Sequence, residues 1–424
     1  MNNSREQALE LDRQDPLRGL REQYWIPKQA DGSTQLYFCG NSLGLQPKST
    51  KEAVLQELAA WQDQGVEGHF KGERPWISYN DLLRQPMAEL IGAKPDETVI
   101  MNTLTVNLHL MMISFYRPDK QRNRILIEQQ PFPSDRYAIE SQIRMHGLDP
   151  NECLVEIAPD DGGRIINESA IEAYLAEHGE KVALVLWPGV HYASGQLFDL
   201  KRIVAAAHKA GAYCGFDLAH AVGNVPLELH DIDADFAVWC TYKYLNSGIG
   251  AVGGCFVHER HFNRTDLARL HGWWGNELES RFLMGSDFVP AKGVDAWQLS
   301  NPPILAMAPI KAALELFQQA GMPALREKSI RLTGYLEQLV QTELKHVLEI
   351  ITPADPDRRG CQLSLRVVAG RSAGRALFEK LEQAGTVPDW REPDVIRVAP
   401  VPMYNRFEDC WQLIQQIKAF AANS

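Results

Sequence analysis

Residues 213–250 read YCGFDLAHAVGNVPLELHDIDADFAVWCTYKYLNSGIG, and their pattern decides the fold. One apolar run ends at Asp217, and a second, DFAVWC from Asp235 to Cys240, leads into Lys243. Both read as short buried strands, each delivering a polar residue at its C-terminal end. Open α/β sheets bind their ligands at those ends, so an acid and a lysine arrive together at the expected place.

The residue types suit pyridoxal phosphate. A desolvated carboxylate beside the pyridine nitrogen favours its protonated form, and the protonated ring serves as an electron sink. Asp217 fits that role. The aldehyde needs an amine, and a lysine in a partly buried pocket becomes a usable nucleophile and base. Lys243, between Tyr242 and Tyr244, supplies it. Taken singly, Asp217 reads as a helix cap and Lys243 as a solvated loop lysine. Only together do they point to the cofactor.

Outward from this stretch, short apolar runs alternate with helical patterns. TVIMN, RILIEQ, VALVLWPGV and AYCGFD read as strands, while TVNLHLMMISFY and LKRIVAAAHKAG read as helices. Such alternation predicts an α/β fold built on a doubly wound, mainly parallel sheet. Ser49 to Gly65 reads as a helix, with Ser49 and Glu52 at capping-box spacing and Val54, Leu55, Leu58 and Trp61 on one apolar face. After SNPPI at 300–304 come helices and strands that predict a second, smaller α+β domain. The expected division is an N-terminal arm, residues 1–48, joining the small domain; a large domain, 49–304; and the small domain, 305–424. Gly248, Gly250 and Gly253 spell GxGxxG, but CFVH follows as a strand pattern, whereas a dinucleotide site requires a helix there.

Further polar residues fall where a phosphorylated cofactor could use them. Leu104 and Thr105 head an apolar helix, where Thr105 is either an ordinary N-cap or a phosphate ligand. In FPSD, Phe132 could stack on a pyridine face and Asp135 could reach a ring substituent, or Phe132, Pro133, Ser134 and Asp135 form a simple turn. His220, one helical turn from Asp217, could bond the acid or cover the ring, and its plainer reading is a core histidine. Tyr242 could donate to the phosphate or move a proton, or simply pack. Arg397 in VIRVAP alternates with Ile396 and Val398. Facing solvent it is ordinary, and facing inward it would clamp an α-carboxylate.

The chain has 424 residues, 45% hydrophobic and 23% charged, with a net charge of -11. Clustered Lys and Arg, the basis of nucleic-acid binding, are absent, so no nucleic-acid partner is expected. Seven cysteines without a CxxC pair indicate neither a disulfide framework nor a zinc site, and no metal is expected. A reducing cytoplasm fits. The charged N-terminus MNNSREQALELDRQD and the lack of about 18 consecutive apolar residues predict a soluble protein outside the membrane.

Taken in order, the segments YFCGNSLGLQP, ERPW, MNTLTVNLH, FPSD, YAIESQ, PGVHYASGQ, DLAHAVGN, CTYKYLNSG, HGWWG, SNPPI and IRVAPVP closely resemble the kynureninase family over most of the chain. The resemblance implies a fold-type-I pyridoxal-phosphate hydrolase that cleaves L-kynurenine to anthranilate and L-alanine, and 3-hydroxykynurenine to 3-hydroxyanthranilate and L-alanine. It implies service in tryptophan breakdown or NAD synthesis. By position, Lys243 would carry the cofactor as an aldimine, Asp217 would pair with its ring nitrogen, and Leu104, Thr105 and Tyr242 would serve the phosphate region. Phe132 to Asp135 and His220 would line the cofactor. Trp273 and Asn301 match positions that reach the pocket from the partner subunit, which implies a homodimer with shared sites. Arg397 matches the substrate-carboxylate arginine. His69 and Asn301 match positions near the substrate ring, which favours 3-hydroxykynurenine as substrate. Asp217 and Lys243 alone would also fit a cysteine desulfurase or class V aminotransferase. A desulfurase needs an exposed reactive cysteine, whereas Cys361 reads as the start of a buried strand.

Overall fold

The computed structural model describes residues 3–159 and 163–422. The chain opens with α1 (Arg5–Arg13), β1 (Tyr24–Trp25), β2 (Leu36–Tyr37), β3 (Gln46–Pro47), α2 (Thr50–Gln64) and α3 (Tyr79–Ile91). The central part runs β4 (Thr98–Ile100), α4 (Leu104–Phe115), β5 (Arg124–Glu128), α5 (Pro133–Met145), α6 (Pro150–Cys153), β6 (Leu154–Ile157), α7 (Glu168–His178), β7 (Val182–Pro188), α8 (Leu200–Lys209), β8 (Tyr213–Asp217), β9 (Phe236–Trp239) and β10 (Gly254–Val257). The last part runs α9 (Leu278–Arg281), α10 (Ile304–Ala320), α11 (Met322–Leu339), β11 (Leu348–Ile350), β12 (Leu363–Val367), α12 (Arg371–Gln383), β13 (Thr386–Val387), β14 (Asp389–Arg391), β15 (Val395–Val398) and α13 (Phe407–Ala421).

Seven strands form the central sheet in the order β4-β10-β9-β8-β7-β5-β6. The ladder is parallel from β6 through β9, while β10 runs antiparallel to both β9 and β4. Alternate strand residues enter opposite cores, as the two-residue period requires. Leu126, Val185, Phe216 and Ala237 join one core with α3, α7, α8 and α10. Ile125, Leu184, Leu186 and Val238 join the other with α4 and α5. Helices on both faces explain why these strands are apolar throughout. Each fully buried Leu, Val or Phe there contributes roughly 1.5–3 kcal/mol.

A four-stranded antiparallel sheet, β11-β12-β15-β14, forms the second layer, packed with α11, α12 and α13. The N-terminal segment reaches this part: β2 pairs in parallel with β13, and Ala8, Leu36 and Phe38 enter its core. α10 packs on α2 and α3 and contributes Met307, Ile310, Leu314 and Phe317 to the core of the central sheet. The glycines at 248, 250 and 253 lead straight into β10.

Two local expectations differ. Ser49 adopts helical backbone angles and makes no side-chain cap bond, so the capping box is not formed. The face of α2 bearing Leu55, Leu58 and Trp61 is exposed, with Trp61 at 61%. Amphipathic spacing marks a helix but does not say what covers its apolar side.

Candidate active site

Neighbouring strand ends bring the acid and the lysine together. β8 ends at Asp217, whose Oδ1 accepts from the Ala219 N–H at 2.7 Å, while Leu218 N–H donates to Val238 O on β9 at 2.8 Å. After β9, the loop bearing Lys243 is pinned on both sides. Thr241 Oγ1 donates to Val252 O at 2.6 Å, and Gly44 N–H donates to Tyr242 O at 2.8 Å. A cavity of about 180 Å3 opens between these loops, lined by Asp217, His220, Tyr242, Lys243, Phe132 and Thr105 among others.

Electrostatics divide the labour in that cavity. His220 Nε2 lies 3.1 Å from Lys243 Nζ. Burial and the Lys243 charge hold the imidazole well below its ordinary pKa, so it is neutral and accepts from the ammonium. Residues 219–224 form turns, so His220 is not a helical turn beyond Asp217, and it bonds the lysine instead of the acid. Burial raises the Asp217 carboxyl, opposed by the Ala219 N–H and the Lys243 charge. Asp135 is raised well above its ordinary value by burial and by the Asp217 charge beside it. Two carboxyls this close do not both ionise, and Asp135 takes the proton. The Tyr242 phenol is also pushed up by burial and by Cys240, and stays protonated.

At the opposite wall two helix starts converge. Thr103 is the N-cap of α4, although its side chain makes no cap bond, so Thr105 is not the cap. Thr105 lies within the first turn, and its hydroxyl meets that of Ser134, in the first turn of α5, at 3.0 Å. Pro133 occupies the first position of α5, where its missing N–H costs nothing. Phe132 caps the same helix and lies 5.8 Å from Lys243 Nζ and edge-on to Tyr192. A buried acid, an amine, an aromatic face and a hydroxyl pair at two helix N-termini match the ring nitrogen, aldehyde, ring and phosphate of pyridoxal phosphate.

Other expected residues lie elsewhere in the chain. Arg397 faces inward at 1% exposure, and its Nη1 donates to the carbonyl of Tyr192, a cavity-lining residue, at 2.7 Å. His69 and Asn301 meet in a separate groove of about 530 Å3, with Glu57, Trp61, Trp76 and Pro303. Trp273 is half-exposed, packs against Phe282 and donates its Nε1–H to Arg281 O at 3.1 Å. None of these last three lines the lysine cavity within one chain.

Two polar cavity residues, Glu128 and Tyr192, escaped the sequence reading. Glu128 ends β5 facing the cavity, and burial together with the Asp217 charge holds its carboxyl well above its ordinary value. Its signal was present, an acid closing the otherwise apolar run RILIE. Tyr192 had no such signal.

Glu97, His230 and His258 also converge, away from the lysine cavity. His230 Nδ1 contacts Glu97 at 2.9 Å, but the two imidazoles stack with centroids 4.8 Å apart at 12°. A metal must lie in the plane of each ring that ligates it, and nearly parallel stacked rings do not share one ion. The cluster is a hydrogen-bonded clasp.

Residues 325–417 match the family described as kynureninase C-terminal domain. A kynureninase of Xanthomonas campestris pv. campestris (strain B100) is 58% identical over 419 residues, covering 99% of this chain and 98% of its own. One from Stenotrophomonas maltophilia (strain K279a) is 57% identical over 418 residues, with 99% and 98% covered. Among solved structures, the cysteine desulfurase CsdA from Escherichia coli superposes with a TM-score of 0.75 over 96% of this chain and 98% of its own, at 15% identity. The cystine C-S lyase C-DES, in complex with cysteine persulfide, gives 0.74 over 90% and 97%, at 18% identity. Identities this low speak for the fold alone, which is the fold-type-I architecture expected from the sequence. Cys361 is fully buried with its thiol pushed up to about 12, and burial pushes the partly exposed Cys39 thiol up to about 11, so neither is the exposed reactive cysteine a desulfurase needs. The near-complete match to these relatives at well over half identity settles the grouping: the chain belongs to the kynureninase family.

Proposed function

We propose that the chain hydrolyses L-kynurenine to anthranilate and L-alanine, and 3-hydroxykynurenine to 3-hydroxyanthranilate and L-alanine, with pyridoxal phosphate bound covalently through Lys243. The observation that carries this reading is the convergence of Lys243, Asp217 and the Thr105–Ser134 hydroxyl pair on one cavity. When bound, the cofactor supplies an electron sink for the negative charge that develops at the substrate α-carbon.

The chain's residues do the rest. Asp217 would keep the cofactor's ring nitrogen protonated. The hydroxyls of Thr105 and Ser134, with Leu104 and the first turns of α4 and α5, would hold the phosphate. Phe132 would cover the ring, and Asp135, neutral, would donate toward a ring substituent. With the cofactor in place, Lys243 would take the α-proton and return it as L-alanine forms, and neutral His220 lies 3.1 Å from its Nζ. Arg397 receives the substrate carboxylate. Tyr242, kept protonated, would supply the proton that the β-carbon of the alanine fragment needs once water has added to the γ-carbonyl and the β–γ bond has broken. Replacing Tyr242 with Phe therefore lowers kcat while leaving cofactor affinity nearly intact, and an unchanged kcat removes Tyr242 from this role.

Trp273, Asn301 and His69 complete the site across a homodimer, on this reading. The exposed apolar residues Leu55, Leu58, Trp61, Phe70 and Leu283 supply a surface for the second copy. His69 and Asn301, polar residues beside Trp61, Trp76 and the aliphatic Ile304 and Leu305, favour the 3-hydroxylated substrate. All seven cysteines are free thiols, in keeping with a cytoplasmic setting, and no helix among the described residues is long and apolar enough to cross a membrane.

The test is turnover of both substrates in parallel by purified protein with added pyridoxal phosphate, with Lys243→Ala as control. Anthranilate or hydroxyanthranilate from the wild type alone supports the reading. A cofactor-loaded protein that cleaves neither substrate overturns it.

A further inference from the structure

Where the small sheet meets the lysine cavity, two guanidinium groups share one carboxylate. Asp389 on β14 and Arg397 on β15 are directly opposed cross-strand partners. A single oxygen, Asp389 Oδ2, accepts from Arg397 Nη2, from the Ser42 hydroxyl and from Arg391 Nη2, the last at 3.0 Å. Ser42 Oγ also accepts from Arg397 Nη2 at 3.1 Å and Arg391 Nη2 at 3.3 Å. Asp389 is 8% exposed and Arg397 1%. The Nε–H groups of both arginines are buried without a partner.

Charge and geometry together constrain what this cluster can receive. Two cations and one anion leave a single unmatched positive charge, which is the complement of one carboxylate. Buried Arg397 is paired with Asp389, while the Arg391 side chain, 37% exposed, carries the unmatched charge where an incoming anion can reach it. The cluster is joined to the catalytic cavity through the Arg397 bond to Tyr192 O, and the charges of Arg397 and Arg391 help depress His220. Arg397 cannot choose its own rotamer freely: Asp389 and Ser42 hold one end of its fork and Tyr192 the other.

We propose that Asp389 is the positioning residue for substrate recognition. It holds the Arg397 and Arg391 guanidinium groups in one arrangement, so that the site takes a monoanionic α-carboxylate and rejects the uncharged amide. This rests on the reading of Arg397 as the carboxylate-binding group.

The experiment compares wild type, Asp389→Asn, Asp389→Glu and Arg397→Gln on L-kynurenine and on its α-carboxamide. Asp389→Asn raises KM for the acid about tenfold with kcat within about threefold, and leaves the amide nearly unaffected, so the acid-over-amide preference falls about tenfold. Asp389→Glu, which keeps the charge, recovers part of that preference. Unchanged KM, or equal losses on acid and amide, overturns the proposal. An Arg397→Gln variant with unchanged KM overturns the Arg397 reading itself, whereas a raised KM there beside an unaffected Asp389→Asn overturns only the role of Asp389. Melting temperature and cofactor absorbance report whether each variant is folded. If Asp389→Asn is not, Ser42→Ala carries the test, with KM up about two- to threefold for the acid only, and equal changes on both compounds count against it.

Discussion

The lysine cavity and the aromatic groove differ in how far one chain finishes them. In the cavity, strand ends, two helix starts and a pinned loop fix charged groups whose partners are nearly all in place. The groove holds His69 and Asn301 among Trp61, Trp76 and Pro303, open to solvent, with Trp61 at 61% exposure. The first region holds desolvated ionisable groups against one another, and the second leaves apolar surface uncovered. A finished site is limited by its chemistry, while an unfinished one is limited by what completes it.

Lys243→Ala should lower turnover by about 10^4-fold or more while the protein stays folded, since both the cofactor anchor and the base are lost. Steady-state rates with circular dichroism check this, and residual turnover within tenfold of wild type would break the claim that the cavity does the chemistry.

The second expectation concerns the cost of desolvation beside the cavity. His191, buried with Nδ1 accepting from Ser194 N–H at 3.2 Å, has a pKa lowered by burial from 6.5 to about 4. The unfolded chain therefore binds a proton that the folded chain refuses between those values. Stability is full above pH 6.5 and is lost as pH falls toward 4, by about 3 kcal/mol from this residue. Denaturant titrations of wild type and His191→Asn at several pH values test it, the variant showing the shallower slope. Equal slopes would assign the acid sensitivity to other groups.

For the groove, Trp61→Glu should make activity depend on protein concentration, with specific activity falling about tenfold on dilution as copies separate, while the cofactor remains bound to each chain. Sedimentation alongside assays reads both, and a concentration-independent monomer with full activity would show that one chain suffices. His69→Phe should have the smallest effect, reducing the preference for 3-hydroxykynurenine over kynurenine about five- to tenfold, the worth of one hydrogen bond. A preserved ratio of kcat/KM values would move ring recognition away from the groove.

Sequence made the two regions unequally legible. β8 and β9 could be read because their parallel burial leaves uninterrupted apolar runs, and the polar residue that ends each run stands out. Glu128 carried the same signature on β5. Of the two readings of Thr105, the cap belongs to Thr103 two residues earlier, since both present the same hydroxyl and only backbone angles separate them. Arg397 could not be oriented, since alternation along a four-residue strand is the same whichever face is buried. The Ser42–Asp389 contact spans 347 positions and has no local trace at all. Likewise Leu55, Leu58 and Trp61 announce a helix face, but not whether the chain itself covers it.

Gly44 ties the first part of the chain to the catalytic loop. Its N–H bonds Tyr242 O, and a Cβ there would lie 2.3 Å from the Lys243 carbonyl oxygen. Eight residues earlier the same segment pairs, as β2, with β13 at Thr386 and Val387, and Asn41 bonds Gln362 at 2.9 Å. During synthesis the strap that seats the lysine loop emerges first, yet its mate emerges when nine-tenths of the chain has been made. A nascent chain halted before residue 386 holds Asp217 and Lys243 but lacks the strand that anchors their strap, so the ribosome must nearly finish its work before the catalytic loop can be locked.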